Sequence, residues 1–254
     1  MISRVFTTAI LVASSVSALT ISSACQNALT QVATNSDASA CLSVSSLLGA
    51  VLQSNTSIIT PVDNWLKSLC SAAPCSNATL SAVITNVTTG CSAELSLADG
   101  SEASAATLIP LVEQYYPTAR KIVCLTDSGT NCITQTLTNI QSILGTLSIS
   151  NIGTIIANAV TTTNLPSNVT CSNCVKEAYN VLNTDFPSAA SSLTSDLNNQ
   201  CGANFTDGSK PTGIVESAKT TDGNNNSGQA LTVTHGAFAG SALVVASYLW
   251  VLLA

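Results

Sequence analysis

The chain has 254 residues, of which 46% are hydrophobic and only 8% charged, with a formal net charge of −6. Such sparse, acidic charge supplies no Lys/Arg footprint for nucleic acid and no basic patch for docking on anionic lipid. Ten cysteines are an even number, which in an oxidising compartment reads as disulfides; a chain of this length could bury a core without them.

The chain opens with one positive charge at Arg4, an apolar run from Val5 to about Val16, and small residues at Val16-Ser17-Ala18. This is the n-, h- and c-region order of a secretory signal, and the run is too short to span a bilayer permanently. Residues 1–18 are expected to be a signal peptide cleaved after Ala18.

Residues 19–206 are expected to form an all-α, disulfide-stapled bundle of about eight to ten short helices. Val44, Leu47, Leu48 and Val51 after Cys41, and Leu80, Val83, Ile84 and Val87 before Cys91, repeat at i, i+3, i+4, i+7. Ile133, Leu137, Ile140 and Leu144 follow Cys132 at i, i+4, i+7, i+11, and Cys171, Cys174, Ala178 and Val181 share one helical face. Helix starts are expected at Pro61, at Ser76-Asn77 and at Ser101-Glu102, with Pro110 kinking or ending the last of these. Breaks fall at Asn35-Ser36-Asp37, Asp99-Gly100 and Asp127-Ser128-Gly129.

The cysteines are Cys25, Cys41, Cys70, Cys75 and Cys91, then Cys124, Cys132, Cys171, Cys174 and Cys201. Each set has two single cysteines, a close pair and one more after a helix, which suggests two similar halves, 19–100 and 101–206. Five per half is odd, so at least one bridge must join them. The expected pairs are Cys124–Cys132 around a polar loop, Cys25–Cys41, Cys75–Cys91, Cys174–Cys201 and Cys70–Cys171, although spacing alone does not determine connectivity. Asn55, Asn77, Asn86, Asn168 and Asn204 head Asn-x-Ser/Thr sequons and are expected to carry N-glycans; Asn225 abuts the anchor signal and is discounted.

Residues 207–226, rich in Gly, Ser, Thr, Lys and Asn, read as a flexible stalk. Asn226-Ser227-Gly228, a polar spacer from Gln229 to Gly236 and an uncharged apolar tail to Ala254 match a glycosylphosphatidylinositol (GPI) attachment signal. Asn226 is the expected ω residue, with Ser227 and Gly228 as alternatives, and residues 227–254 are expected to be removed. A stop-transfer helix would carry Lys or Arg after its apolar run, and none follows here.

Few residues point to chemistry. The sole histidine, His235, lies in the segment expected to be discarded, which leaves no imidazole for Ser/His or Cys/His catalysis. Cys171-x2-Cys174 as a redox dithiol needs a thioredoxin-like βαβ setting, and zinc held by Cys70, Cys75, Cys171 and Cys174 needs thiolates that a secretory route oxidises. Glu94, Asp99 and Glu102 read as a solvated acidic turn. Trp65 is expected in the core or as a staple beneath Cys70, and Tyr115-Tyr116-Pro117 as a packing patch at a helix end. No catalytic, cofactor-binding or metal-binding residue is assigned.

Several segments resemble an uncharacterised family of cysteine-rich secreted proteins of mushroom-forming fungi, defined only as a domain of unknown function. They are Asn64-Trp65-Leu66 leading to Cys70-Ser-Ala-Ala-Pro-Cys75, Tyr115-Tyr116-Pro117 leading to Cys124 and Cys132, Cys171-Ser-Asn-Cys174 with Ala178-Tyr179-Asn180, and Cys201-Gly202-Ala203-Asn204-Phe205 with Asp207-Gly208. The resemblance covers roughly Cys25 to Val215. It implies secretion, disulfides and often a GPI tail, and supplies no catalytic or ligand residues. Hydrophobins, with adjacent Cys-Cys pairs, and the haem-binding eight-cysteine fungal domains do not fit the spacing.

The resulting expectation is a GPI-anchored glycoprotein of the outer plasma-membrane face or cell wall, without catalytic activity, in a structural or interaction role. Its partners would be the membrane, through the lipid, and cell-wall polysaccharide or surface proteins; no cofactor or nucleic acid is expected. The alternative is a helical binding module for a lipid, sterol or other small apolar ligand. A carboxylate-dependent hydrolase of wall polymer ranks last, because a sugar groove wants aromatic platforms that this chain largely lacks.

Overall fold

The computed structural model describes residues 22–47, 55–95, 104–152, 155 and 166–220. They form α1 (Ser23–Thr34), α2 (Ser36–Leu42), a 3-10 turn (Val44–Leu47), α3 (Ile59–Ser71), α4 (Asn77–Gly90) and α5 (Ala105–Val123). A β-hairpin follows, β1 (Leu125–Asp127) and β2 (Thr130–Asn131), then α6 (Cys132–Leu144), α7 (Ser167–Thr170), α8 (Asn173–Asp185), α9 (Pro187–Cys201) and β3 (Ile214–Glu216). The protein is mostly helical and stapled by five disulfides, as expected.

The Ser/Asn-rich composition serves these short helices at their starts. Ser22, Asn35, Ser76, Ser104, Asn131 and Ser172 each cap a helix, the side-chain oxygen accepting from a backbone N–H of the first turn. Each such cap is worth about 1 kcal/mol. Helix α3 starts two residues before Pro61, which lies in its first turn where a missing N–H removes no ladder bond. Helix α5 does not end at Pro110: it runs through both Pro110 and Pro117 to Val123. The helix expected from Val44 is, over Val44–Leu47, a 3-10 turn, because Ser43 takes a left-handed conformation (φ 53°) that stops α2. Leu48 and Val51 lie outside the described residues.

The largest core cluster joins Ile58, Val62, Trp65, Leu66 and Leu69 to Leu147, with Ile133, Leu137 and Ile140 of α6 packed against it. Leu66 and Leu147 are fully buried, each contributing about 1.5–3 kcal/mol by leaving water. Trp65 is in this core as expected, its indole N–H donating to the Leu42 carbonyl at 2.8 Å. A second packing contact sets α1 on α4, where Gly90 comes so near that an added Cβ would lie 2.3 Å from the Ala28 Cβ.

The chain after Cys201 differs from the expected stalk as far as Thr220. Lys176 pairs with Asp207 at 2.8 Å, and Asn180 Nδ2 donates to the Ser209 carbonyl at 3.1 Å. Ile214–Glu216 then joins an antiparallel sheet of order β2-β1-β3, with Leu125 opposite Glu216 and Asp127 opposite Ile214. Ser217 N–H donates to the Cys124 carbonyl and Lys219 N–H to the Cys70 carbonyl. The polar composition of the segment hid this, since backbone pairing and polar side-chain contacts hold it and only Phe205 and Ile214 are buried. Residues 221–226 lie outside the described residues.

All five bridges differ from the expected pairs: they are Cys25–Cys91, Cys41–Cys75, Cys70–Cys124, Cys132–Cys174 and Cys171–Cys201. Helices act as rods of 1.5 Å rise per residue, so the 14 residues of α4 hold Cys75 and Cys91 roughly 20 Å apart. Cys91 instead meets Cys25 where α4 ends against the start of α1, and Cys75 meets Cys41 at the end of α2. Cys124 and Cys132 flank the hairpin but face opposite ways. Thr126 opposes Asn131, so continuing the register sets Leu125 opposite Cys132, and alternation turns Cys124 to the other side. Leu125, Cys132, Cys174 and Ile214 accordingly share one cluster, whereas Cys124 reaches Cys70 at the end of α3. The α8–α9 pair brings Cys201 back to the start of α8, where Cys171 takes it and leaves Cys174 for Cys132. Cys70–Cys124 joins the two cysteine sets.

Candidate functional site

The residues singled out in the sequence are dispersed by the fold rather than gathered. Cys171 and Cys174 belong to different bridges, so the Cys-x2-Cys is not a dithiol pair. Cys70, Cys75, Cys171 and Cys174 have four separate partners and offer no thiolates to zinc. Cys25, Cys91 and Glu94 bring potential ligand atoms within 4.8 Å of one another, but both sulfurs are committed to a disulfide. Glu94 is exposed, and the Ser22 hydroxyl together with the Ser22 N–H, which donates at 2.7 Å, holds its carboxyl below the ordinary range. Asp99, Glu102, Asn225, the ω candidates and His235 lie outside the described residues.

The aromatic patch packs inward on two sides. Tyr116 Oη accepts the Cys75 N–H at 2.9 Å, and Tyr115 stacks obliquely on Phe186 with ring centroids 4.5 Å apart. Nearby, Thr118 Oγ1 and Lys121 Nζ donate to the Asp185 carboxylate at 2.7 and 2.9 Å. Burial raises the Asp185 pKa, and these two donors more than offset it, leaving the group below its usual value. Asp63 is held low by Lys67 at 2.6 Å, against burial, with help from the Thr134 hydroxyl. Asp207 is held far below the carboxylate range by Lys176 and by the hydroxyl and N–H of Ser209. These contacts fix the carboxylates as anions, within α3 for Asp63–Lys67 and between separate segments for Asp185 and Asp207; a general acid would instead require a raised value.

One charged group without a carboxylate partner was not anticipated. Arg120 is 6% exposed, and its guanidinium donates to the carbonyls of Leu69, at 3.0 Å, and Ala72. It therefore caps the C-terminal end of α3, where the helix dipole favours a cation. An arginine four residues before a cysteine carries no sequence signal for this role. Asn180 offers a second clue of this kind, with its Oδ1 buried and unpartnered while its Nδ2 serves Glu177 and Ser209.

An open groove of about 170 Å³ lies between α1–α2 and α4, lined by Val32, Asn35, Asp37, Thr79, Val83 and Asn86 among others. Sites for small organic ligands run to about 300–1,000 Å³ and enclose most of the ligand. Two sequons stand at this groove, Asn86 in its wall and Asn77 one residue from Ala78. Asn55, Asn77, Asn86, Asn168 and Asn204 are all exposed.

No family model matches the chain, and no curated protein or solved structure matches it significantly.

Proposed function

We propose that the mature chain is a GPI-anchored, glycosylated surface protein of the outer plasma membrane or cell wall, acting as a structural or interaction module rather than as a catalyst. The observation that carries this reading is the pairing of all ten cysteines in five bridges on a domain whose five sequon asparagines are exposed. That combination is the economy of an extracellular domain. No helix among the described residues is long and apolar enough to cross a membrane. The resemblance to secreted fungal proteins points the same way.

The folding of residues 207–220 sharpens the geometry of display. With the ω residue at Asn226, six residues lead from Thr220 to the anchor's glycan, a span of at most about 20 Å. The helical domain then sits close to the headgroups rather than at the end of a long stalk. The ligand-binding alternative draws little support from a groove of about 170 Å³.

Phosphatidylinositol-specific phospholipase C applied to intact cells tests the anchor. Release of the chain into the medium with a C-terminal peptide ending at Asn226, Ser227 or Gly228 is expected; retention in the membrane after treatment that frees a control GPI protein would overturn it. A deletion strain scored for wall integrity and adhesion tests the role.

A further inference from the structure

Eight of the ten cysteines are buried, at 8% exposure or less; Cys171 and Cys201 alone are partly exposed. Their bridge also spans the shortest sequence separation of the five, 30 residues, and ties the turn before α8 to the last residue of α9. It is thus the least buried of the five bridges, and exchange requires a thiolate to approach one sulfur in line with the S–S bond.

The surroundings of the two sulfurs are unequal. Cys171 Sγ lies 3.5 Å from the Thr170 hydroxyl, which donates to the Pro166 carbonyl at 3.3 Å while the bridge is closed and can rotate to donate to a sulfur anion when it opens. Cys171 also immediately precedes Ser172, the N-cap of the 13-residue helix α8, at the end whose dipole favours negative charge. Cys201 has the opposite setting. Its Sγ sits 3.6 Å from the Thr170 carbonyl oxygen, and it is the last residue of α9, at the end whose dipole opposes an anion. A bridge splits most readily when the departing sulfur is the one better held as thiolate.

We propose that Cys171–Cys201 is a reversible S-thiolation site for low-molecular-weight thiols such as glutathione or free cysteine. The small thiolate attacks Cys201 Sγ, a new S–S bond joins it to Cys201, the Cys171–Cys201 bond breaks, and its electron pair leaves on Cys171 as a thiolate beside the Thr170 hydroxyl. No net oxidation occurs. The return attack of Cys171 on the mixed disulfide expels the small thiol and restores the bridge. The other four bridges persist throughout, and Cys132–Cys174 keeps the start of α8 fixed while the end of α9 is released.

The test incubates the intact secreted protein with glutathione at millimolar concentrations, quenches with iodoacetamide and maps each cysteine by mass spectrometry. Glutathione on Cys201, alkylation on Cys171 and eight cysteines still bridged are expected. Label first on any other bridge, simultaneous label on all ten, no label at concentrations that leave the fold intact, or glutathione on Cys171 with Cys201 alkylated would each overturn the proposal. Thr170→Val should slow opening about threefold or more, as loss of a donor to the leaving thiolate demands. Thr170→Ser should restore the rate. Because Thr170 completes the Asn168 sequon, Asn168→Gln serves as the glycan control and should not slow opening; equal slowing in Asn168→Gln and Thr170→Val would overturn the role given to the hydroxyl.

Discussion

Removing the Cys70–Cys124 bridge by the double substitution Cys70→Ala/Cys124→Ala probes the covalent link on which the arrangement of the two cysteine sets depends. The bridge closes a sequence separation of 54 residues, and no other bridge shortens the path between its ends. Loop-closure entropy for that length is about 14 cal/mol/K, or about 4 kcal/mol at 25 °C. For a domain of this size, about 2–4 °C of melting temperature accompanies each kcal/mol, so a fall of about 8–16 °C is expected. The local setting adds to the effect. Lys219 N–H donates to the Cys70 carbonyl, Ser217 to that of Cys124, and the Arg120 guanidinium to that of Leu69 beside it. Loosening the bridge therefore loosens β3 as well. Circular dichroism melts of wild type and double variant, both with the remaining disulfides verified by peptide mapping, measure the difference. A melting temperature within about 3 °C of wild type would refute the entropic reasoning. The single variant Cys70→Ala gives an independent check, because the thiol it frees should be Cys124; a free thiol at Cys132 or Cys171 would refute the connectivity itself.

Arg120→Ala strands the Leu69 and Ala72 carbonyls and empties a buried site, and should cost about 2–4 kcal/mol in urea unfolding, with Arg120→Lys recovering part of it; a loss under 0.5 kcal/mol would show the guanidinium to be incidental. Gly90→Ala places a Cβ 2.3 Å from that of Ala28 and should destabilise by about 1–3 kcal/mol despite its better helix propensity, and Ala28→Gly in the same chain should relieve most of the loss. If Gly90→Ala proves neutral, the close approach of α1 and α4 is wrong. Acid should also destabilise the fold. Asp63, Asp185 and Asp207 all have folded-state values depressed below the ordinary 3.8, so they stabilise the fold above that value and lose the contribution as pH falls through their lower folded values. The melting temperature should hold steady from about pH 7 to 5 and drop below about pH 4, and a flat profile down to pH 2 would contradict these ion pairs.

The helices were legible because their signal is local. Leu80, Val83, Ile84 and Val87 repeat with the helical period and do form the inner face of α4, and Ser76 is its cap. Ile133, Leu137 and Ile140 likewise line α6 against the main core. At Val44 the periodicity gave the helical sense but not the type: after a left-handed Ser43 ends α2, Val44–Leu47 is a 3-10 turn. The same reading failed at Ile214–Glu216, where three residues become a strand only because β1 offers an edge 89 residues earlier in the chain. No part of a candidate site was legible beyond residue types, because Arg120, Asn180 and the Cys171–Cys201 pair take their character from neighbours distant in sequence.

The sequence by itself determined the secretory and anchoring expectations at the two ends, the helical class, and the presence of cysteines in an even, bridge-forming number. These depend on composition and on spacing within single turns or short runs. The tertiary structure alone decided which cysteines bond, that residues 207–220 belong to the folded domain, and which bridge is least buried. Disulfide pairing is set by where rigid helices end in space, and backbone pairing needs no side-chain pattern. Neither quantity is written in the order of residues along one element; both emerge only when the elements are packed together.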